Sequence, residues 1–360
     1  AAGRPAATPK SGGCGNAGLT LPPGFCATVF ADDIGHARHM TVAADGTVYV
    51  NTWSGAYYRR SPPPAGGFIV ALRDSDGDGR ADRIERFGET RAEGGAGGVG
   101  IALYRNSIYA EAKDRIVRYP ISADGALPSR PAETILSGMP LGGDHPMHPF
   151  VIDRAGHLFV NMGSATNACD VSNRVPNGPG RTPCDELATR GGVWLYDANR
   201  AGQRFSPAER YATGIRNTGG LAYDRAGRLF GVQHGRDQLG QNWPKFYTVK
   251  QGASLPSEEL LLLTRGADFG WPTCYYDGTR KQLMLAPEYG GDGKTVGLCA
   301  QKRGPVAAFP AHWAPDDLLI YAGSQFPAAY RDGAFIAFHG AWNRAPEPQG
   351  GDNIVLQTLR

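Results

Sequence analysis

The chain has 360 residues, 41% hydrophobic and 20% charged, the balance of a globular protein that can bury a core. Its 37 basic and 34 acidic residues leave a net charge of only +3, with no Lys/Arg run interleaved with aromatics, which argues against nucleic acid and anionic membrane as partners. No apolar stretch approaches the ~20 residues of a membrane-spanning helix, so no transmembrane segment is expected.

Residues 1–20, opening AAGRPAATPKSGG, are small and polar without an apolar signal core. They read as a flexible, mature N-terminal segment left by cleavage, with the folded domain over residues 21–360. The six cysteines fall in three local pairs, Cys14/Cys26, Cys169/Cys184 and Cys274/Cys299, none in a C-x-x-C spacing. Each pair brackets a Gly/Pro/Asn-rich loop whose closure limits unfolded-state freedom. Sequential disulfides and a periplasmic or secreted location are therefore expected, buried free thiols of a cytosolic protein being the alternative.

In chain order, one phrase recurs: MTVAADGTVYVNTWS (40–54), GIALYRNSIYAEAK (100–113), FVIDRAGHLFVNMGS (150–164) and LAYDRAGRLFGVQHG (221–235), with a fifth unit in LLIYAGSQFPAAYRDGAFIAFHG. Each is a strand, a tight turn, then a strand ending in a polar loop. Helical periodicity is almost absent; PSEELLLL comes nearest. Hairpins repeated at this spacing predict an all-β protein built as the radial blades of a propeller, in preference to a sandwich.

Between the first two hairpins, DSDGDGRAD sets Asp74, Asp76, Asp78 and Asp82 at positions 1, 3, 5 and 9 of a calcium loop. Gly79 takes the sharp turn, Arg80 offers its carbonyl and Glu85 takes position 12. No helices flank it, so a structural calcium in a β context is expected. GGAGGVG contains a G-x-G-x-x-G match at Gly95, Gly97 and Gly100, but it neither follows a strand nor opens a helix, and reads as a loop.

DHPMHP places His145 and His148 three apart. Pro146 and Pro149 deny them a shared helical face, which argues against a zinc pair. His148 reads as a hydrogen-bonded structural residue. Asp144 beside His145 can orient its imidazole, making His145 the better general base. Arg216 and Asn217 stand before their hairpin where Asp144 and His145 stand before theirs. In a propeller that equal offset gathers both sets at one mouth, where a guanidinium and an amide suit an anionic, oxygen-rich ligand.

DHPMHPFVIDRAGHLFV, GIRNTGGLAYDRAGRLFGVQHG, GADFGWPTCYYD and AFIAFHGAWNRAPEPQGG together resemble the glucose/sorbosone dehydrogenase family of soluble quinoprotein sugar dehydrogenases, in its sorbosone-dehydrogenase-like bacterial branch, from about Gly24 to Gln349. The resemblance implies a six-bladed β-propeller whose last blade is missing or incomplete in this chain. It implies pyrroloquinoline quinone and calcium as cofactors, a sugar or sugar aldehyde as substrate, and His145 as catalytic base with Asp144 and Arg216 assisting. It further implies quinone binding by Arg216 and Asn217, with Arg344 in place of a family lysine, and main-chain calcium ligands at Gly235 and Arg236. An acid that assists the base in some relatives is Ser164 here. No C-x-x-C-H haem motif is present, so electrons are expected to leave to a separate cytochrome or quinone acceptor. A partner-binding propeller without catalysis and a calcium-dependent lactonase are the competing expectations, and specificity is expected from loops 165–190 and 276–304.

Overall fold

The computed structural model describes residues 15–52, 65–90, 97–122 and 126–359. The chain divides into two compact units, with the boundary between Thr134 and Ile135. In the first, β1 (Ala37–Val42), β2 (Val48–Thr52), β3 (Ile69–Arg73) and β4 (Arg83–Phe87) form an antiparallel four-stranded sheet in sequence order. They are followed by the antiparallel run β5 (Ile101–Tyr104), β6 (Ser107–Ala112) and β7 (Arg115–Pro120). Strand alternation explains the apolar run of β3. Ile69 and Ala71 pack with Tyr49, Phe68 and Ile108 on one face, while Val70 and Leu72 pack with Val50 on the other.

β8 (Glu133–Ser137) crosses the boundary. In the second unit, β9 (Phe150–Ile152), β10 (His157–Met162), β11 (Gly192–Asp197) and, past the short β12 (Gln203–Arg204), β13 (Arg210–Thr213) form a sheet ordered β9-β10-β11-β13. β12 pairs in parallel with β8. Next come β14 (Thr218–Tyr223) and β15 (Leu229–Gln233), then two short helices, α1 (Leu239–Asn242) and α2 (Val249–Ser254), and β16 (Glu258–Leu263). A two-stranded ribbon, β17 (Cys274–Asp277) and β18 (Gln282–Leu285), precedes β19 (Ala307–Phe309), which completes the β14-β15-β16-β19 sheet. Finally β20 (Pro315–Ile320), β21 (Ala334–His339) and β22 (Asp352–Gln357) form a three-stranded sheet.

All five expected hairpins are present, as β1–β2, β5–β6, β9–β10, β14–β15 and β20–β21. The segment nearest to helical periodicity is instead strand β16. Its Leu261 and Leu263 pack against Phe159, Val193 and Ile215, and its Leu260 against Phe230, Phe309 and Ile336. A strand covered on both faces has no polar side to mark its period.

The sheets are up-and-down meanders of the kind that make propeller blades, and the described residues carry five, one short of the six-bladed ring whose last blade was expected to be missing or incomplete. Two connections are long: residues 163–191 separate β10 from β11, and residues 264–306, which include the β17–β18 ribbon, separate β16 from β19. The expected pairs Cys169–Cys184 and Cys274–Cys299 are formed. Cys14 of the third pair lies outside the described residues, as do residues 1–14 of the expected flexible segment.

Candidate functional site

The equal offset before β9 and β14 holds in three dimensions. His145 N donates to Ser164 O at 3.2 Å, Ser164 N to Arg216 O at 2.8 Å, and His234 N to Asn217 O at 3.0 Å. The chain entering β9, leaving β10, entering β14 and leaving β15 therefore runs side by side at one end of these strands. Gly163 permits the approach, since a Cβ there would lie 2.6 Å from His145 Cβ and 2.7 Å from Asn217 Oδ1.

His145 is buried, and its Nδ1 lies 3.1 Å from Ser164 O and 3.0 Å from Ser164 Oγ. A carbonyl can only accept, and Ser164 Oγ already donates its proton to Thr166 O at 2.7 Å. Nδ1 therefore carries the hydrogen, and Nε2, which has no partner among the described residues, keeps its lone pair. Burial, with Arg216 and His234 adding to it, pushes the imidazole well below its ordinary 6.5, so it is neutral at pH 7. A neutral, tautomer-fixed imidazole with a bare nitrogen is equipped to take a proton.

Among the described residues Asp144 does not contact the imidazole. Its described carboxylate partners are Arg174 (Nε at 3.0 Å, Nη2 at 2.9 Å) and Asn173 Nδ2 at 3.1 Å. Ser164, where some relatives of the resembled family carry an acid, orients the imidazole instead. His148 is structural as expected, its Nε2 hydrogen-bonded to Pro140 O at 3.0 Å.

Arg216 is 3% exposed. Its Nε donates to Asn167 O at 3.1 Å, Nη1 to Gly235 O at 2.9 Å, and Nη2 to Asn167 Oδ1 at 3.1 Å and Asp237 Oδ2 at 2.8 Å. That leaves one Nη1 hydrogen uncommitted among the described residues. Asn217 accepts from Asn161 Nδ2 at 3.2 Å, and its own amide nitrogen has no described partner. Asp237 also accepts from Arg174 Nη2 at 2.9 Å and Asn343 Nδ2 at 2.8 Å. Burial pushes the Asp237 carboxyl up, but the Arg216 and Arg174 guanidiniums outweigh it and hold it well below the usual carboxylate range.

Asn167, Arg174, Asp237 and Asn343 are site residues that sequence reading missed. Asp237 and Asn343 were adjacent to positions already singled out. Arg174 is brought in by the loop that the Cys169–Cys184 disulfide closes and Asn167 stands just ahead of it, and no motif marks them.

Gly235 and Arg236 stand at the exit of β15. The Gly235 carbonyl accepts one hydrogen from Arg216 and retains a lone pair, and no described donor reaches the Arg236 carbonyl. The Arg236 side chain is buried in an ion pair with Glu288 at 2.5 Å. Arg344 donates its Nε to Pro348 O and its Nη1 to the carbonyls of Ala253 and Ala311, and its neighbour Asn343 reaches Asp237. Glu258 and Glu259 lie beneath the site. Burial pushes both carboxyls up to about 8, against the Gly235 and Ala314 amides that hydrogen-bond Glu258 and against Gln233, which hydrogen-bonds Glu259.

In the first unit, carboxylate oxygens of Asp74, Asp76 and Asp78 lie within 4.8 Å of one another. Asp82 turns away to the Ser75 amide at 2.9 Å, Glu85 belongs to β4 opposite Ala71, and Arg80 N donates to Asp78 Oδ1 at 2.8 Å. Gly97 and Gly100 lead into β5 rather than a helix, and Gly95 lies outside the described residues.

Fold and site together define an all-β protein of blade-like sheets whose loops gather a buried histidine, two arginines and an aspartate at one end of the strands. The sequence matches the TrAA12-like family over residues 19–355, and the chain belongs to that family. It is 25% identical over 226 residues to the pyrroloquinoline quinone-dependent pyranose dehydrogenase of Coprinopsis cinerea, covering 56% of this chain and 28% of that protein. The chain thus spans about a third or less of the length of the curated relatives it matches. Among solved structures, the holo form of the pyranose dehydrogenase PQQ domain from Coprinopsis cinerea superimposes with a TM-score of 0.68 at 18% identity, over 91% of this chain and 76% of that one. The calcium structure of Trichoderma reesei family AA12 gives 0.69 at 18% over 92% and 79%. The PQQ-bound aldose sugar dehydrogenase of Streptomyces coelicolor gives 0.56 at 18% over 92% and 80%. At these identities the structural likeness speaks for the fold.

Proposed function

We propose that the chain is a dehydrogenase that oxidises a sugar, an aldose or pyranose or a sugar aldehyde such as sorbosone, with pyrroloquinoline quinone and calcium at the site around His145. The carrying observation is the buried imidazole whose Nδ1–H is fixed by Ser164 while Nε2 stays bare. Family membership and the quinone-dependent pyranose dehydrogenase relative support the reading. His145 Nε2 takes the proton of the reacting hydroxyl, and low basicity keeps it unprotonated and ready.

The donor set fits a planar, oxygen-rich anion. The uncommitted Arg216 hydrogen and the Asn217 amide would hold the quinone's oxygens, and the Gly235 and Arg236 carbonyls would hold a calcium beside it. Bound there, the quinone would supply the acceptor for the hydrogen that leaves the substrate's C–H bond with its electron pair. Arg344 spends its Nε and Nη1 hydrogens on main-chain carbonyls, and its Nη2 hydrogens, without a described partner, would be what it offers the quinone. Arg216 and Asp237 keep the site rigid. A second calcium is proposed at Asp74, Asp76 and Asp78 as a structural ion. Two disulfides favour an oxidising compartment, periplasmic or secreted, and electrons then pass to a separate carrier.

The lactonase alternative needs acidic and amide side chains converging on a calcium. Asp237 does gather Asn343 beside it, yet both its oxygens accept from protein donors and two guanidiniums face it, a setting that repels a divalent cation. Titration of the protein with pyrroloquinoline quinone in calcium, followed by addition of aldoses and sugar aldehydes, tests the proposal. Quinone bleaching that is lost in His145→Ala and weakened in Arg216→Ala is expected. Binding of quinone without bleaching by any sugar would refute the assigned reaction, and absence of quinone binding would refute the cofactor.

A further inference from the structure

Glu259 on β16 lies directly across from Gln233 on β15. Gln233 Nε2 donates to Glu259 Oε1 at 2.9 Å, and Gln233 Oε1 accepts from Arg216 N at 3.0 Å. The chain of bonds continues outward: Arg216 O accepts from Ser164 N at 2.8 Å, and Ser164 accepts from His145 Nδ1 with both its carbonyl and its hydroxyl oxygen. Glu259 is 4% exposed, and its second oxygen, Oε2, is buried with no partner among the described residues. Beside it lies a cavity of about 20 Å³ lined by Arg216, Gln233, His234 and Glu259 among others. That volume admits a single water, and a polar wall of this kind can hold one.

We infer that Glu259 is a positioning residue for the base: through Gln233 and the main chain of Arg216 it fixes the Ser164 acceptors, and with them the Nδ1–H tautomer of His145, while Oε2 holds one internal water. The orientation of the Gln233 amide is the link. With the carboxyl present, Nε2 faces Glu259 and Oε1 faces the Arg216 amide. Without it, Nε2 has no acceptor, the amide is free to rotate, and the Arg216 N–H loses its partner. The inference rests on His145 as base, as proposed above.

The test is nitrogen-15 NMR of histidine-labelled protein, with His145 assigned by loss of its resonances in His145→Gln, combined with quinone titration in calcium. Wild type is expected to show His145 as the pure Nδ1–H tautomer. Glu259→Met is expected to show both tautomers and to weaken quinone affinity by roughly tenfold, the scale on which outer hydrogen-bond partners act at such sites. Glu259→Gln keeps an acceptor for Gln233 and restores both readings. Gln233→Met breaks the same link from the other side and serves if Glu259→Met does not fold. A pure Nδ1–H tautomer in Glu259→Met and Gln233→Met alike, with only a lowered Tm, overturns the inference. The tautomer reading needs no cofactor, so a wild type that binds no quinone would sink the proposed function and still decide this point.

Discussion

Two neighbours compete to support His145, and they act by different physics. Ser164 contacts Nδ1 directly, whereas Asp144 is tied to Arg174. Ser164→Ala removes one of two acceptors while the carbonyl remains, so a loss of about 1 kcal/mol is expected, roughly fivefold in kcat/KM. Asp144 is not among the main causes of the His145 shift, so Asp144→Asn is expected to leave the acid limb of kcat/KM where it is in wild type. The limb itself has a defined direction. A base works when unprotonated, and His145 lies well below 6.5, so activity should hold as pH falls through 6.5 and drop only at more acidic values. His145→Ala should abolish that limb and lower kcat by about 10²- to 10⁴-fold; pH-rate profiles of the three variants check all of this. His145, Arg216 and Asn217 were legible because their spacing before a hairpin repeats. Asp237 was passed over because QHGRD drew attention to carbonyls, and Ser164 read as a missing acid although its two oxygens accept in one direction.

At the scale of elements, the sequence reading succeeded where a polar turn punctuates two short strands and weakened where burial is two-sided. β16 carries four consecutive leucines because blades pack on both its faces. Leu261→Ala is therefore expected to cost about 2–5 kcal/mol, whereas Leu319→Ala, at a position 61% exposed on β20, should stay within about 0.5 kcal/mol; urea midpoints of the two variants decide it. Loops are harder to read than strands. The segment between Cys169 and Cys184 brings Asn173 and Arg174 onto Asp144, a long-range contact that local chemistry does not encode. The Asp74 loop was legible as an oxygen cage, but only three of its carboxylates converge. Calcium at about a hundred times its Kd should stabilise the protein by about 2.7 kcal/mol if they suffice. Asp76→Asn should remove most of that gain in a thermal melt with calcium and with chelator.

For the whole molecule, blade type and the five units present were legible, because a polar turn punctuates each hairpin. Composition also conceals how many charged side chains end up buried. Three histidines and two glutamates pull the pH response of the ligand-free protein in opposite directions. His145, His234 and His312 are pushed down by burial, His234 to about 3, so the unfolded chain binds more protons than the folded one below 6.5. Their contribution to stability is present above 6.5 and is lost as pH falls through that value toward the folded pKa. Glu258 and Glu259 are raised from 4.5 to about 8, so the folded chain binds more protons between those values. Their contribution is present below 4.5 and is lost as pH rises toward 8. Between 4.5 and 6.5 the two groups oppose each other, with the histidines in the majority. Above 6.5 the glutamates act alone, and stability should decline toward pH 8. Urea midpoints at pH 5, 6, 7 and 8 should therefore rise slightly at first and then fall. Glu259→Gln cannot ionise and should flatten about half of the decline from pH 6.5 to 8; an equal decline in that variant would mean that the slope arises elsewhere in the chain.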